Sequence, residues 1–191
     1  MSSHVRCALS VILPFGDDED VIGDSVRGAV ELLRDTGMNY EIIAVDEDSG
    51  DNSHAVLAMM RRDVADLRVI SASARLRGVE AGVARAQGQA LAVLAPSKRL
   101  HTEGLLDAIS RVRFDGVDIE IQLGRFLAAN RVRAYDAFEH ARLSGEALQK
   151  KFAKRAANRG LNVIVDGVRQ TMTPPTPMAR LRDAFGMRRA S

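Results

Sequence analysis

Between residues 8 and 94 the chain switches repeatedly between two periods. Ala8-Leu9-Ser10-Val11-Ile12-Leu13-Pro14 is a mostly apolar run closed by proline, then by Gly16 and the acids Asp17 to Asp20. Such a run reads as a buried strand ending in a loop. Over 21–34 the apolar residues Val21, Ile22, Val26, Ala29, Val30, Leu32 and Leu33 return at helical spacing, and Thr36-Gly37 supplies the stop. The pattern then repeats: strands are expected at 40–45, 67–70 and 90–94, with helices at about 53–62 and 77–87. This alternation predicts an α/β fold of βαβ units, a mainly parallel sheet with helices on both faces. Ligands of such sheets sit beyond the carboxyl ends of the strands. Two of those ends carry acid, at 17–20 and 46–51.

The second half is less regular. A helix is expected at 103–111, and 117–122 alternates as a strand with one solvated face would. Residues 135–158 read as one long basic helix, 161–165 as a further strand, and Thr173-Pro174-Pro175-Thr176-Pro177 as a break. No internal repeat or dividing linker interrupts 1–170, which is read as one domain followed by a Pro-rich basic tail, 171–191. With 191 residues, 46% of them hydrophobic, the chain can bury a core of its own.

The near-neutral total of +2 conceals a split. Residues 1–119 hold 13 basic and 19 acidic side chains (−6), whereas 120–191 hold 14 and 6 (+8). The balanced total gives no reason to expect a nucleic-acid partner, and the absence of Trp argues against a base-stacking platform. A single cysteine, Cys7, excludes an intrachain disulfide framework and a cysteine-based zinc cluster, and is expected to pack as a small hydrophobe. No apolar run approaches the roughly 20 residues of a membrane span, and Met-Ser-Ser-His-Val-Arg has no signal-peptide core. A cytoplasmic protein is expected, with the basic C-terminal third able to approach the inner face of a membrane or a lipid phosphate.

The densest polar segment is Val45-Asp46-Glu47-Asp48-Ser49-Gly50-Asp51-Asn52-Ser53. A strand-terminal acid such as Asp46 can accept hydrogen bonds from a base or ribose, and Asp51 and Ser53 can cap the next helix. A solvated turn with an N-cap is the plainer alternative. His4, His54, His101 and His140 have no metal-ligand spacing. Asp115 and Asp118 lie where a base could arise, but nothing distinguishes them from turn acids. Lys150, Lys151, Lys154, Arg155 and Arg159 read either as a solvated basic face or as an approach to an anionic lipid or phosphate-bearing acceptor.

In order along the chain, Ser10-Val11-Ile12-Leu13-Pro14, the segment from Tyr40 to Ser53, Gly82-Val83-Ala84-Arg85-Ala86-Gln87-Gly88, Gly116-Val117-Asp118-Ile119 and Gly124-Arg125-Phe126 resemble the start of a family 2 glycosyltransferase. The likeness is strongest to the dolichol-phosphate-mannose-synthase-like branch, with its "YEIIVVDDGSTDNS" and "GADVVIGSRF" stretches, and covers about residues 8–126. It implies a GT-A, Rossmann-like nucleotide-binding fold, a UDP- or GDP-linked sugar donor, and transfer to an acceptor such as a polyprenyl phosphate. Pro14 and Asp18 then fall where the first loop meets the nucleotide, and Asp46 where the family's acid contacts the base. Asp48 replaces the glycine of "DDGS", and Arg125 matches the arginine of "SRF", a candidate for phosphate.

Three departures qualify the likeness. Phe15-Gly16-Asp17-Asp18 stands where Tyr-Asn-Glu is usual, and Ala74, Arg75, Leu76 and Arg77 occupy a glycine-rich step. After the fourth strand the family has Asp-x-Asp, which holds Mg²⁺ or Mn²⁺ against the diphosphate. Here Ala95-Pro96-Ser97-Lys98-Arg99 follows, with neither carboxylate, so the usual metal site is expected to be lost. Either Lys98 and Arg99 neutralise the leaving diphosphate, or the fold persists as a catalytically silent binding or scaffold module. Lys98-Arg99 as an ordinary solvated pair fits both readings. An accidental likeness would leave a flavodoxin-like or other doubly wound binding domain.

Overall fold

The computed structural model describes residues 7–72 and 78–170. The tail at 171–191, the segment with Ala74, Arg75, Leu76 and Arg77, and His4 lie outside the described residues. The first half follows the expected alternation: β1 (Leu9–Phe15), α1 (Ile22–Arg34), β2 (Tyr40–Asp46), α2 (Ser53–Met60), β3 (Leu67–Ser71), α3 (Gly78–Arg85) and β4 (Ala90–Leu94). After it come α4 (Leu105–Phe114), β5 (Ile119–Gln122), β6 (Phe126–Asn130), α5 (Arg131–Ala134), a 3-10 turn at Tyr135–Phe138, α6 (Glu146–Asn158), β7 (Val163–Val165) and β8 (Val168–Gln170).

The strands form one sheet in the order β3-β2-β1-β4-β6-β5-β7-β8. β1 lies parallel to both β2 and β4, and β2 to β3, as βαβ crossovers require. β6 is antiparallel to β4 and β5, and β8 to β7. Alternate residues of the central strands feed two cores. Leu9, Val11, Leu13 and Phe15 pack with Ile22, Val26, Ala29 and Leu33 of α1 and with Leu105, Ile109 and Val112 of α4. Ile12, Ile43, Val45 and Leu127 face the other way, onto Val79 and Val83 of α3 and Phe152 and Ala156 of α6.

In the second half two expectations are corrected and one strand is added. The long helix over 135–158 is broken, because His140 (φ 54°) and Gly145 (φ 83°) adopt left-handed backbone that no α-helix accommodates. The strand with a solvated face is buried: Glu120 is 6% exposed and receives a bidentate ion pair from Arg111 of α4 at 2.6 and 2.7 Å. Phe126–Asn130, with two small alanines at its centre, forms an additional strand between β4 and β5.

A buried polar network closes the amino-terminal end of the sheet. One Glu41 oxygen accepts from the Ser10 hydroxyl (2.7 Å) and the Gln87 amide (2.6 Å), and the other from Arg68 (2.5 Å). The Gly88 amide donates to Ser10 Oγ at 2.8 Å, so the turn between α3 and β4 lies directly on β1. A Cβ at Gly88 would stand 2.4 Å from the Ser10 nitrogen and 2.6 Å from the Leu9 carbonyl carbon, backbone atoms that cannot swing aside. Gly88→Ala is therefore expected to lower the unfolding free energy in urea by about 1–3 kcal/mol. A change below about 0.5 kcal/mol, the range of an ordinary surface substitution, would contradict this packing.

Candidate active site

At the opposite end of the sheet the chain leaves a cleft of about 1410 Å³. Its near wall is the end of β1 and the loop after it (Pro14 to Asp18), with Glu47 and Asp48 after β2 and Leu94, Ala95 and Pro96 at the end of β4. Its far wall is Gly124 and Arg125, from the turn between β5 and β6, and His140 to Ser144 from the segment preceding α6. This is the carboxyl edge of the parallel strands, where a doubly wound sheet binds ligands.

The acids at the near wall first serve the backbone. Asp17, at φ 56°, accepts the Gly50 amide on Oδ1 (2.7 Å), while its own amide donates to Ser49 Oγ (3.3 Å). The Glu19 amide donates to Asp51 Oδ2 (2.8 Å), and Glu19 Oε2 accepts the Asn52 amide (2.8 Å). The Asp18 amide donates to Ser53 Oγ (3.1 Å), and Asp18 Oδ2 accepts the Gly16 amide (2.9 Å). These reciprocal bonds join the loops after β1 and β2 into one unit. Asp51 and Ser53 thus bond across to the other loop, and Asp51 Oδ1 also accepts the Ser53 amide (3.0 Å) at the start of α2, whereas Asn52, directly before the helix, makes no side-chain cap.

Of the residues singled out in the sequence, Pro14, Asp18, Asp48 and Arg125 line the cleft, whereas Asp46, Lys98 and Arg99 do not. Asp48 stands at φ 77°, the left-handed conformation glycine adopts most easily and Asp tolerates better than most residues. Asp46 is 8% exposed and its oxygens are engaged internally. Oδ1 accepts the Ser49 amide (2.9 Å) and hydroxyl (2.7 Å), and Oδ2 lies 2.8 Å from His54 Nε2. Lys98 and Arg99 are exposed on the flank of α1, because Ser25 Oγ of that helix accepts the Ser97 amide (2.8 Å) and lies 3.0 Å from the Ser97 carbonyl oxygen. Arg125 is paired with Glu103, which precedes α4.

Other cleft residues were not anticipated. Arg142 contributes a cation with no ion-pair partner among the described residues. Glu80 of α3 accepts the His140 amide at 3.2 Å, tying α3 to the far wall, and Gln149 of α6 accepts the Gly124 amide at 2.9 Å. The signal available for this wall was Ser144-Gly145 inside the supposed long helix, a helix-stop pair that reads as a loop.

Burial pushes the Asp46 carboxyl upward, but hydrogen bonds from the Ser49 hydroxyl, the His54 ring and the Ser49 amide outweigh it and hold the group below the ordinary carboxylate range. A lowered folded-state value stabilises the protein above the unfolded value, and that stability is lost as pH falls through the folded one. Asp46→Asn should therefore cost about 1–3 kcal/mol near pH 5, with a gap to the wild type that narrows below about pH 4. Urea titrations at about pH 5 and about pH 3 test this, and a gap that does not change with pH would contradict it.

The same architecture occurs in solved glycosyltransferases. The mannosyltransferase PcManGT from Pyrobaculum calidifontis, in complex with GDP-Man and Mn²⁺, superposes with a TM-score of 0.64 at 15% identity, over 98% of this chain and 67% of that one. Glucosyl-3-phosphoglycerate synthase from Mycobacterium tuberculosis, in complex with Mn²⁺, UDP and glucosyl-3-phosphoglycerate, gives 0.63 at 15% identity, over 97% and 82%. TarS from S. aureus, in complex with UDP, gives 0.60 at 15% identity, over 87% and 61%. At these identities the likeness establishes the GT-A fold. No curated protein matches the chain by sequence. The sequence profile described as "Glycosyl transferase family 2" matches residues 10–125, more than half of the chain, and with the sheet order and cleft described above it identifies this protein as a member of glycosyl transferase family 2.

Proposed function

We propose that this chain is a glycosyltransferase domain whose cleft takes a UDP- or GDP-linked sugar, with the nucleotide along Pro14, Asp18 and Asp48 and the diphosphate toward Arg125 and Arg142. The observation that carries this reading is the polarity of the cleft: acid-rich loops on one wall and two arginines on the other, at the carboxyl edge of β1, β2 and β4. Within the family, motif order over residues 40–53 and 116–126 supports the dolichol-phosphate-mannose-synthase-like branch. Asp46 acts indirectly in this reading, by holding the loop after β2 in shape.

Mn²⁺ accompanies the nucleotide in two of the relatives. A metal bridging a diphosphate needs hard oxygen ligands, and the loop after β4 supplies little. Ala95 and Pro96 have no side-chain donor, and the Ser97 hydroxyl lies 3.0 Å from the Arg99 carbonyl oxygen. Among the described residues no group of three or more His, Cys, Asp or Glu is disposed to hold a metal. The donor set does not fit such an ion, so no step is routed through one. As the acceptor oxygen attacks the anomeric carbon and the bond to the diphosphate breaks, negative charge grows on the leaving phosphate. Arg125 and Arg142 offset it through charge-assisted hydrogen bonds. Lys98 and Arg99 have no part in this.

The same carboxylate-poor loop favours a second reading, donor binding without transfer. Incubation of UDP-glucose or GDP-mannose with a polyprenyl phosphate or glycerol 3-phosphate as acceptor separates the two: glycosylated acceptor with equimolar release of the nucleoside diphosphate supports the transferase, and donor binding without either product supports the silent module. In calorimetric titrations with UDP and GDP, Arg142→Ala is expected to weaken binding about tenfold or more. Replacing Lys98 and Arg99 together with Ala should leave it within about twofold. The reverse ranking would return the diphosphate to the β4 loop.

A further inference from the structure

A second groove, of about 550 Å³, adjoins the cleft and shares His140, Arg142 and Leu148 with it. Its charged lining is of one sign: Arg142, Lys151, Lys154, Arg155 and Arg159, with the His140 imidazole at the junction. Among the described residues no carboxylate lines it. Arg155 donates to the Ala137 carbonyl (3.0 Å) and Arg159 to the Asp136 carbonyl (2.8 Å). Both guanidiniums are thus positioned by neutral acceptors, with no ion-pair partner among the described residues. Arg142, Lys151 and Lys154 have no ion-pair partner among the described residues. Like charges gathered in a concavity repel one another, and a compact anion relieves that repulsion.

We propose that this groove binds the phosphate of a soluble phosphomonoester acceptor, delivering the rest of that molecule to the cleft past His140 and Arg142. The proposal rests on the transferase reading for the word acceptor; the anion site itself does not. Concavity favours a small anion over a membrane surface. Among the described residues Leu148 and the buried Phe152 are the apolar lining, and none of the exposed large apolar side chains, such as Phe114, Val132 and Val168, lies there. A lipid tail or bilayer would need such residues beside the cations.

Calorimetry on the full chain tests this with glycerol 3-phosphate as the probe and glycerol as the uncharged control. Saturable binding of glycerol 3-phosphate is expected, weakening with added salt, with no response to glycerol. Lys151→Glu with Lys154→Glu, both exposed and outside the cleft, should weaken it about tenfold or more while UDP and GDP affinities stay unchanged. No binding, or binding that the double variant leaves intact, would overturn the proposal. So would binding to phosphatidylglycerol vesicles with glycerol 3-phosphate silent. If UDP and GDP fail to bind while glycerol 3-phosphate binds and is lost in the variant, the groove stands and the transferase reading falls.

Discussion

Backbone amides at the ends of two adjacent parallel strands have no ladder partner, and in this chain neighbouring side chains supply the acceptors. Asp17 and Glu19 after β1 take amides from the loop after β2, while Ser49, Asp51 and Ser53 take amides from the loop after β1. Asp46 braces the second loop from beneath, through Ser49 and His54. The near wall of the cleft is therefore a cross-linked unit whose shape depends on carboxylate acceptors. Much of the acidity of the first half has a structural use before it has any chemical one.

That use bears on the chemistry. These carboxylates are already committed to the backbone, and β4 is followed by Ala95-Pro96-Ser97, where the Asp-x-Asp of the resemblance would stand, with no carboxylate. Ser25 draws the following residues to α1, taking Lys98 and Arg99 out of the cleft. In the proposed function, positive charge comes from the opposite wall. Insertion of β6 between β4 and β5 sets Arg125 at the cleft, and the break before α6 sets Arg142 beside it. The basic groove continues from there along α6.

The central α/β layers were legible because each strand and helix through residue 94 carries its own period and stop. β6 was not, since Phe-Leu-Ala-Ala-Asn is short, without alternation, and is defined by pairing with β4 and β5. The break in the supposed long helix depends on two left-handed residues, of which only Gly145 carries a sequence signal. Glu120 misled because alternation suggests a solvated face, whereas a partner nine residues earlier, Arg111, allows the carboxylate to be buried. For the site, motif order located Pro14, Asp18, Asp48 and Arg125 at the cleft. It could not foresee that Ser25, 72 residues before Ser97, redirects the β4 loop, or that Arg142 enters from beyond the matched segment.

The central claim is that arginines, without a bridging metal, meet the diphosphate. Its most direct test is the affinity of UDP and GDP measured by calorimetry in the presence of Mn²⁺ and again in EDTA. Neutralisation by Arg125 and Arg142 predicts dissociation constants that agree within about twofold in the two conditions. A loss of about a hundredfold on chelation would contradict it and require a metal held by residues other than those at the end of β4.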